Sequence, residues 1–311
     1  MPDCVAAALV GSAAVRNIER AADLDITCFD WNVPVGSERH AKFELGGMPV
    51  HAVAYHPNYF LIVSTHNDLI LPSLREIRKL LEGKILFDDE GVLETVLASL
   101  KSISIPRETL KPFVAAVQSF KLDSLPAAEA RLFFYYAVEN LAFGWMNADL
   151  KYRYSKPKWL LEDAALIPSK SLFLLLRAIS EELITNAPLP ELIQQLRLML
   201  DRDENAGMPS GVPFHLKDAE TLVHQGLALE AVWPLRMSAY QYGQFQATQL
   251  GIAYRDLRSI TTVMSEIRLS QPHLFSFFET LLLTNSPVSE TLLELFEQAA
   301  TDFLTEWNNP S

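Results

Sequence analysis

The chain has 311 residues, 49% hydrophobic and 21% charged, with 12 glycines, 18 prolines and a formal net charge of −12. Such a composition excludes a disordered, collagenous or coiled-coil chain, and the length allows two domains with substantial cores. The acidic balance disfavours nucleic acid as a partner, because phosphate binding needs clustered Lys and Arg, and suits cationic small molecules or proteins. Two cysteines, Cys4 and Cys28, can build neither a disulfide framework nor a four-ligand zinc site, so a reducing, cytoplasmic setting is expected. The apolar run near the start spans only about seven residues with no basic region before it, unlike a secretory signal. Nor is any stretch apolar over the roughly 18 or more residues of a membrane span.

In chain order, Val5–Val10 reads as a buried strand, Ala13–Ala21 as a helix and Leu24–Trp31 as a second strand. Ala41–Leu45 and Val50–Tyr55 read as a strand pair joined through Gly46-Gly47-Met48-Pro49, and Tyr59–Ser64 as a further strand. The spacing of Leu74, Ile77, Leu80 and Leu81 predicts a helix over Pro72–Leu81, stopped at Gly83. Beyond about residue 104 the chain becomes helical stretches parted by prolines. Pro126–Tyr152 and Leu235–Leu269 are the longest candidates, and Asp201–Phe214 reads as a long loop. The expected division is therefore an α/β domain over 1–103 and an all-α domain over 104–311.

The informative stretch is Leu9-Val10-Gly11-Ser12, ten residues, then Asp23-Leu24-Asp25-Ile26-Thr27. A strand ending in Gly-Ser turns tightly into the next helix, whose free N–H groups and the serine hydroxyl suit a triphosphate. Residues two apart on a strand face the same way, so Asp23 and Asp25 converge beside that site. Two carboxylates beside a triphosphate describe a Mg²⁺ platform. Either half of the pattern is common alone, as a loop dipeptide or a solvated strand end; the order of strand, Gly-Ser, helix-length spacer and acid-bearing strand is what carries information.

On these residues the chain resembles the DNA polymerase β-like nucleotidyltransferase superfamily, and within it two-domain enzymes such as the antibiotic nucleotidyltransferases, kanamycin nucleotidyltransferase among them. The likeness continues weakly through Lys84-Ile85-Leu86-Phe87-Asp88-Asp89-Glu90-Gly91 and Lys156-Pro157-Lys158-Trp159-Leu160. The resemblance implies a nucleotidyltransferase-type N-terminal domain, a small mixed sheet with flanking helices, followed by a helical-bundle C-terminal domain. It also implies metal-dependent transfer of NMP from an NTP, with ATP the expected donor and Mg²⁺ or Mn²⁺ the metal. Gly11, Ser12 and Lys158 would bind nucleotide, Asp23 and Asp25 would hold the metal, and Glu139 would be the base.

Arg16 and Ala22 stand where the family usually has a glycine after the serine and a serine before the first Asp. The family's third carboxylate falls on the strand Met48–Tyr55, where the polar inward candidate is His51. Imidazole ligates Mn²⁺ or Zn²⁺ but is a poor partner for Mg²⁺. His51 therefore stands as a substitute metal ligand, the mark of a degenerate nucleotide site, or a structural histidine; Glu44 could substitute only under a shifted register. His40, His51, His56 and His66 match no compact zinc spacing.

Glu139 is the only charged residue between Leu132 and Met146. In a central helix it would be desolvated, its pKa raised, and suited to take a proton from an acceptor hydroxyl; in a peripheral one it would be an ordinary surface glutamate. Arg153, Lys156 and Lys158 form a basic patch that reads either as a phosphate contact or as a solubilising run. Trp159 and Phe133, Phe134, Tyr135, Tyr136 read as core. Arg268 to His273 has the bare Arg, four residues, His spacing of the HEPN ribonucleases, but Pro272 interrupts the helix that such a pair needs.

The leading expectation is a nucleotidyltransferase acting on a hydroxyl of a small molecule or protein, with no membrane partner and a homodimer compatible with the sequence. The alternative is a catalytically degenerate nucleotidyltransferase-fold protein that binds nucleotide or a protein partner, for example a toxin–antitoxin component.

Overall fold

The computed structural model describes residues 3–15, 23–65, 71–101, 103, 105, 107–122, 125–148, 156–202 and 207–308. These form two compact units that divide after Thr109.

The first unit is built on a mixed five-stranded sheet. Its strands are β1 (Ala6–Val10), β2 (Leu24–Phe29), β3 (Glu38–Leu45), β4 (Met48–Tyr55) and β5 (Lys84–Asp88), arranged in the order β3-β4-β2-β1-β5. Only β2 and β4 run parallel; the other neighbours are antiparallel. Helices α1 (Ser12–Val15), α2 (Asn58–Thr65), α3 (Leu71–Leu81) and α4 (Val92–Leu100) complete it. Period-two alternation divides each strand between two faces. Ala6, Ala8, Val10, Phe29 and Tyr55 pack on Phe60, Ile77, Leu80, Leu93, Val96 and Leu100. Ala7, Cys28, Val33 and Ala54 form a smaller cluster.

Several boundaries differ from the sequence reading for identifiable reasons. The β3–β4 hairpin turns on Gly46 and Gly47 alone, at φ 59° and 83°, the double positive φ of a two-residue hairpin turn. Met48 therefore already pairs with Leu45, and β3 begins at Glu38 rather than Ala41. The segment expected as a strand over Tyr59–Ser64 is helix α2. Its aromatic and β-branched run favours a strand locally, but Phe60 docks edge-on against Phe29 and Tyr55, at 5.8 and 5.3 Å between ring centroids, and the core decides. Asp88, at the end of β5, accepts from the backbone N–H of Leu93 and Glu94 and so fixes the start of α4. Residues 16–22, which the expected first helix covers in part, lie outside the described residues.

The second unit is helical, with no strand among its described residues. It comprises α5 (Lys111–Gln118), α6 (Ala127–Ala148), α7 (Leu160–Ala164), α8 (Lys170–Asn186), α9 (Leu189–Arg202), α10 (Gly211–His224), α11 (Ala228–Gln249), α12 (Ile260–Ser270), α13 (Pro272–Leu281) and α14 (Glu290–Asn308). The single helix expected over Leu235–Leu269 is thus two. Gly251, at φ 68°, ends α11, and the Ile252 N–H closes on the Ala247 carbonyl at 2.8 Å, the glycine-terminated helix end that no β-carbon tolerates well. Arg131 of α6 is fully buried. It donates two N–H groups to Glu182 of α8 and further ones to the carbonyls of Ser286 and Pro287. Among the described residues no helix is long and apolar enough to cross a membrane.

Candidate functional site

Strand register brings the candidate residues of the first unit together. Val10 at the end of β1 pairs with Asp25 of β2, and Asp25 pairs with His51 of β4. The chain leaves β1 through Gly11 at φ 70° and enters α1 at Ser12. A Cβ on Gly11 would lie 2.7 Å from Asp25 Oδ2. Glycine is therefore required twice over, for the left-handed backbone and for the space that the Asp25 carboxylate occupies.

His51 Nδ1 lies 3.8 Å from Asp25 Oδ1, the carboxylate largely shielded and the imidazole half-buried. His51 Nε2 is 3.1 Å from His40 Nδ1, and His40 Nε2 is 2.8 Å from Glu38 Oε1. The predicted strand starts at Ala41, so the sequence places neither His40, weighed there only against a zinc spacing, nor Glu38 beside His51. The alternation Glu38, His40, Lys42, Glu44 was the available signal. Glu44 pairs with Pro49, two residues along β4 from His51, and among the described residues it joins no group of three His, Cys, Asp or Glu side chains there.

Asp23 sits on the bend before β2, outside the ladder. Among the described residues no three His, Cys, Asp or Glu side chains converge as a metal-binding group; the expected set of Asp23, Asp25 and His51 is not preassembled. Asp25 and His51 meet, and Asp23 does not join them. The donors present still suit a cation carried in with a triphosphate, since Mg²⁺ is commonly held by one or two carboxylates and substrate oxygens. His56 accepts from the Asn58 N–H and packs on Trp31, away from a shared histidine centre; His66 lies outside the described residues.

The second unit carries its own polar cleft. Glu139 of α6 lines a cavity of about 360 Å³ together with Tyr136, Asn140, Tyr240, Gln244, Tyr254 and Asp256. Burial pushes the Glu139 carboxyl up to about 7, opposed by the positive charge of Arg236 and by a hydrogen bond from Tyr240. The donor pattern fixes that bond's direction. Arg236 Nε and Nη2 both donate to the Tyr240 hydroxyl, at 2.8 and 2.5 Å, so the Tyr240 proton points to Glu139. Asp256 is held below the usual carboxylate range by Arg258, which grips it through two side-chain N–H groups and the backbone N–H.

Lys158 is committed elsewhere. Its ammonium is buried and donates to Asp218 at 2.9 Å, so the expected phosphate contact would have to displace that partner. Arg153 lies outside the described residues. Phe134, Tyr135 and Trp159 are buried as core residues, whereas Phe133 and Tyr136 present their faces to Arg258 at 5.3 and 4.9 Å. Arg268 and His273 fall on separate helices, α12 and α13.

No protein-family model and no curated protein matches the chain. Among solved structures, a nucleotidyltransferase-like protein from Exiguobacterium sibiricum is similar over 89% of this chain and 85% of its own, at 14% identity and a TM-score of 0.29. So loose a superposition carries no functional weight, and the chemistry rests on the site itself.

Proposed function

We propose that the chain is a nucleotidyltransferase that moves a nucleoside monophosphate from an NTP, with ATP the expected donor, to a hydroxyl of a small molecule or protein. The supporting observation is the contact of Gly11 with Asp25: a glycine-serine turn leaves β1 against the carboxylate that β2 presents. The backbone N–H groups after Gly11 and the Ser12 hydroxyl are suited to the phosphates. Asp25, with Asp23 beside it in the chain, would hold a Mg²⁺ or Mn²⁺ ion, whose charge offsets that of the triphosphate.

In the transfer, the acceptor oxygen forms a bond to the α-phosphorus, the bond to the β-phosphate oxygen breaks, and pyrophosphate leaves. The acceptor's proton goes to a base, and Glu139, at the wall of its cleft with an acidity constant near neutrality, is suited to take it. The first unit is then the nucleotide-handling domain and the second the acceptor-choosing one. Calorimetry of ATP with Mg²⁺ tests the reading: Asp25→Ala is expected to lower affinity by roughly tenfold or more, since it removes a charged ligand. Equal binding by wild type and variant would overturn it.

A second reading has its own observation. His51 in place of a carboxylate beside Asp25 suits a protein that binds nucleotide without transferring it. Label transfer from radiolabelled NTP to acceptors in a lysate, in Mg²⁺ and then in Mn²⁺, separates the two. Incorporation that disappears in Asp25→Asn would exclude the inert form.

A further inference from the structure

The face of the sheet that carries Asp25 also carries a run of hydrogen-bonding side chains with a defined direction. In the ladder His51 stands opposite Lys42 and Val53 opposite His40, so His51, His40 and Glu38 share one face and step diagonally across the β3–β4 hairpin. Their ring nitrogens and carboxylate are spaced at 3.1 and 2.8 Å, both within hydrogen-bond range.

The direction of these bonds follows from the inventory of donors. Glu38 accepts, both from the Tyr55 hydroxyl and from His40 Nε2. A neutral His40 that donates from Nε2 has only a lone pair on Nδ1. His51 must then donate from Nε2, and its own Nδ1 is left as a lone pair 3.8 Å from the Asp25 carboxylate. The opposite arrangement has His40 doubly protonated and His51 carrying its proton on Nδ1, aimed at Asp25. The two arrangements differ in which ring nitrogen of His51 carries the proton, and at 3.8 Å the Nδ1–Asp25 gap lies outside the range of about 2.7–3.2 Å of an N–H···O bond, so no such bond is made to Asp25.

We propose that Glu38 and His40 are positioning residues that hold His51 as the Nε2–H tautomer. The His51 Nδ1 lone pair and the Asp25 carboxylate then form a mixed nitrogen–oxygen pair that takes a first-row transition-metal dication in preference to Mg²⁺. This rests on the nucleotide-site reading of Asp25 and goes beyond it by naming the cation class and the residues that select it. Bond lengths of about 2.0–2.2 Å to nitrogen and oxygen let one ion reach both atoms across the gap. Imidazole adds affinity for transition dications and little for Mg²⁺, which prefers oxygen. A hydrogen-bonded outer partner that fixes a ligating histidine's tautomer is a recurring device in metal sites; here it has two links.

Long-range proton–nitrogen NMR of the histidine rings tests the tautomer, with Mn²⁺ as the probe ion. His51 and His40 are both expected to carry the Nε2–H pattern. Substoichiometric Mn²⁺ is expected to broaden the His51 ring signals, with a tenfold excess of Mg²⁺ failing to restore them. Glu38→Ala and His40→Phe, both at exposed positions, should each weaken Mn²⁺ binding by about tenfold while Mg²⁺ binding stays within about twofold. Glu38→Gln should retain most of the affinity, because its amide oxygen still accepts from His40.

A proton found on His51 Nδ1, a His51 signal left sharp by Mn²⁺, or an unchanged Mn²⁺ affinity in His40→Phe would each overturn the proposal. If such a result comes with ATP binding that still depends on Asp25, this inference alone fails. If neither metal supports ATP binding at all, the nucleotidyltransferase reading fails with it.

Discussion

Gly11 shows how much one position can be asked to do. Its φ of 70° and the 2.7 Å approach of Asp25 Oδ2 to the site of a Cβ mean that Gly11→Ala must pay in backbone strain, about 1–2 kcal/mol, and must also push the carboxylate aside. A stability loss of about 2 kcal/mol in urea denaturation, together with weaker ATP binding, is the expected result. Glu139 gives a pH signature. Its carboxyl titrates near 7 in the folded chain, against 4.5 for an ordinary glutamate. The folded state therefore binds more protons between those values, and stability falls as pH rises from about 4.5 to about 7. The fall attributable to Glu139 is about 3 kcal/mol, flat above that window. Urea titrations at pH 5 and pH 8 on wild type and Glu139→Gln measure it, and the variant should lose that share of the pH dependence. Arg236, Tyr240 and Tyr254 surround the group, so the comparison is between variants and not against an absolute scale.

At the scale of elements, the strands of the first unit were readable because alternation and turn glycines are local signals. What escaped was the extent of β3: Glu38 and His40 are exposed and polar, with no apolar alternation to mark them, and only pairing with β4 makes them strand. Helix α2 escaped for the opposite reason, since its apolar run has strand-like propensity and only Phe60 packing into the sheet core makes it a helix. Arg131 is a case that sequence leaves silent. A basic residue in the first turns of α6 reads as solvated, yet it is fully buried and ties α6 to α8 and to the chain before α14. Arg131→Ala should destabilise the second unit by about 3 kcal/mol, because it leaves Glu182 without its fork and two carbonyls without donors. The midpoint of thermal unfolding followed by circular dichroism reads the loss.

For the whole molecule, division into two units after Thr109 leads to a calorimetric expectation. Two transitions should appear, and saturating ATP with Mg²⁺ should raise the one belonging to the first unit, by about 2.7 kcal/mol of stability at a ligand concentration a hundred times its Kd. Asp25→Ala should remove that shift and leave the other transition in place. The −12 charge predicts no retention of single-stranded RNA in a filter-binding assay at physiological salt, since an acidic chain repels the phosphate backbone whose counterions clustered Lys and Arg would release.

The order of strand, Gly-Ser turn and acid-bearing strand, the change to helices in the second half, and the isolated charge of Glu139 were all set down by the sequence itself. Each depends on local geometry or on composition along a single element. Tertiary structure alone decided that Asp25 meets His51 while Asp23 stays outside the ladder, that Lys158 is spent on Asp218, and that His40 and Glu38 stand behind His51. Those are matters of register between strands and packing between helices distant in sequence. No local pattern encodes them, because a shift of one residue in pairing would turn every side chain to the other face.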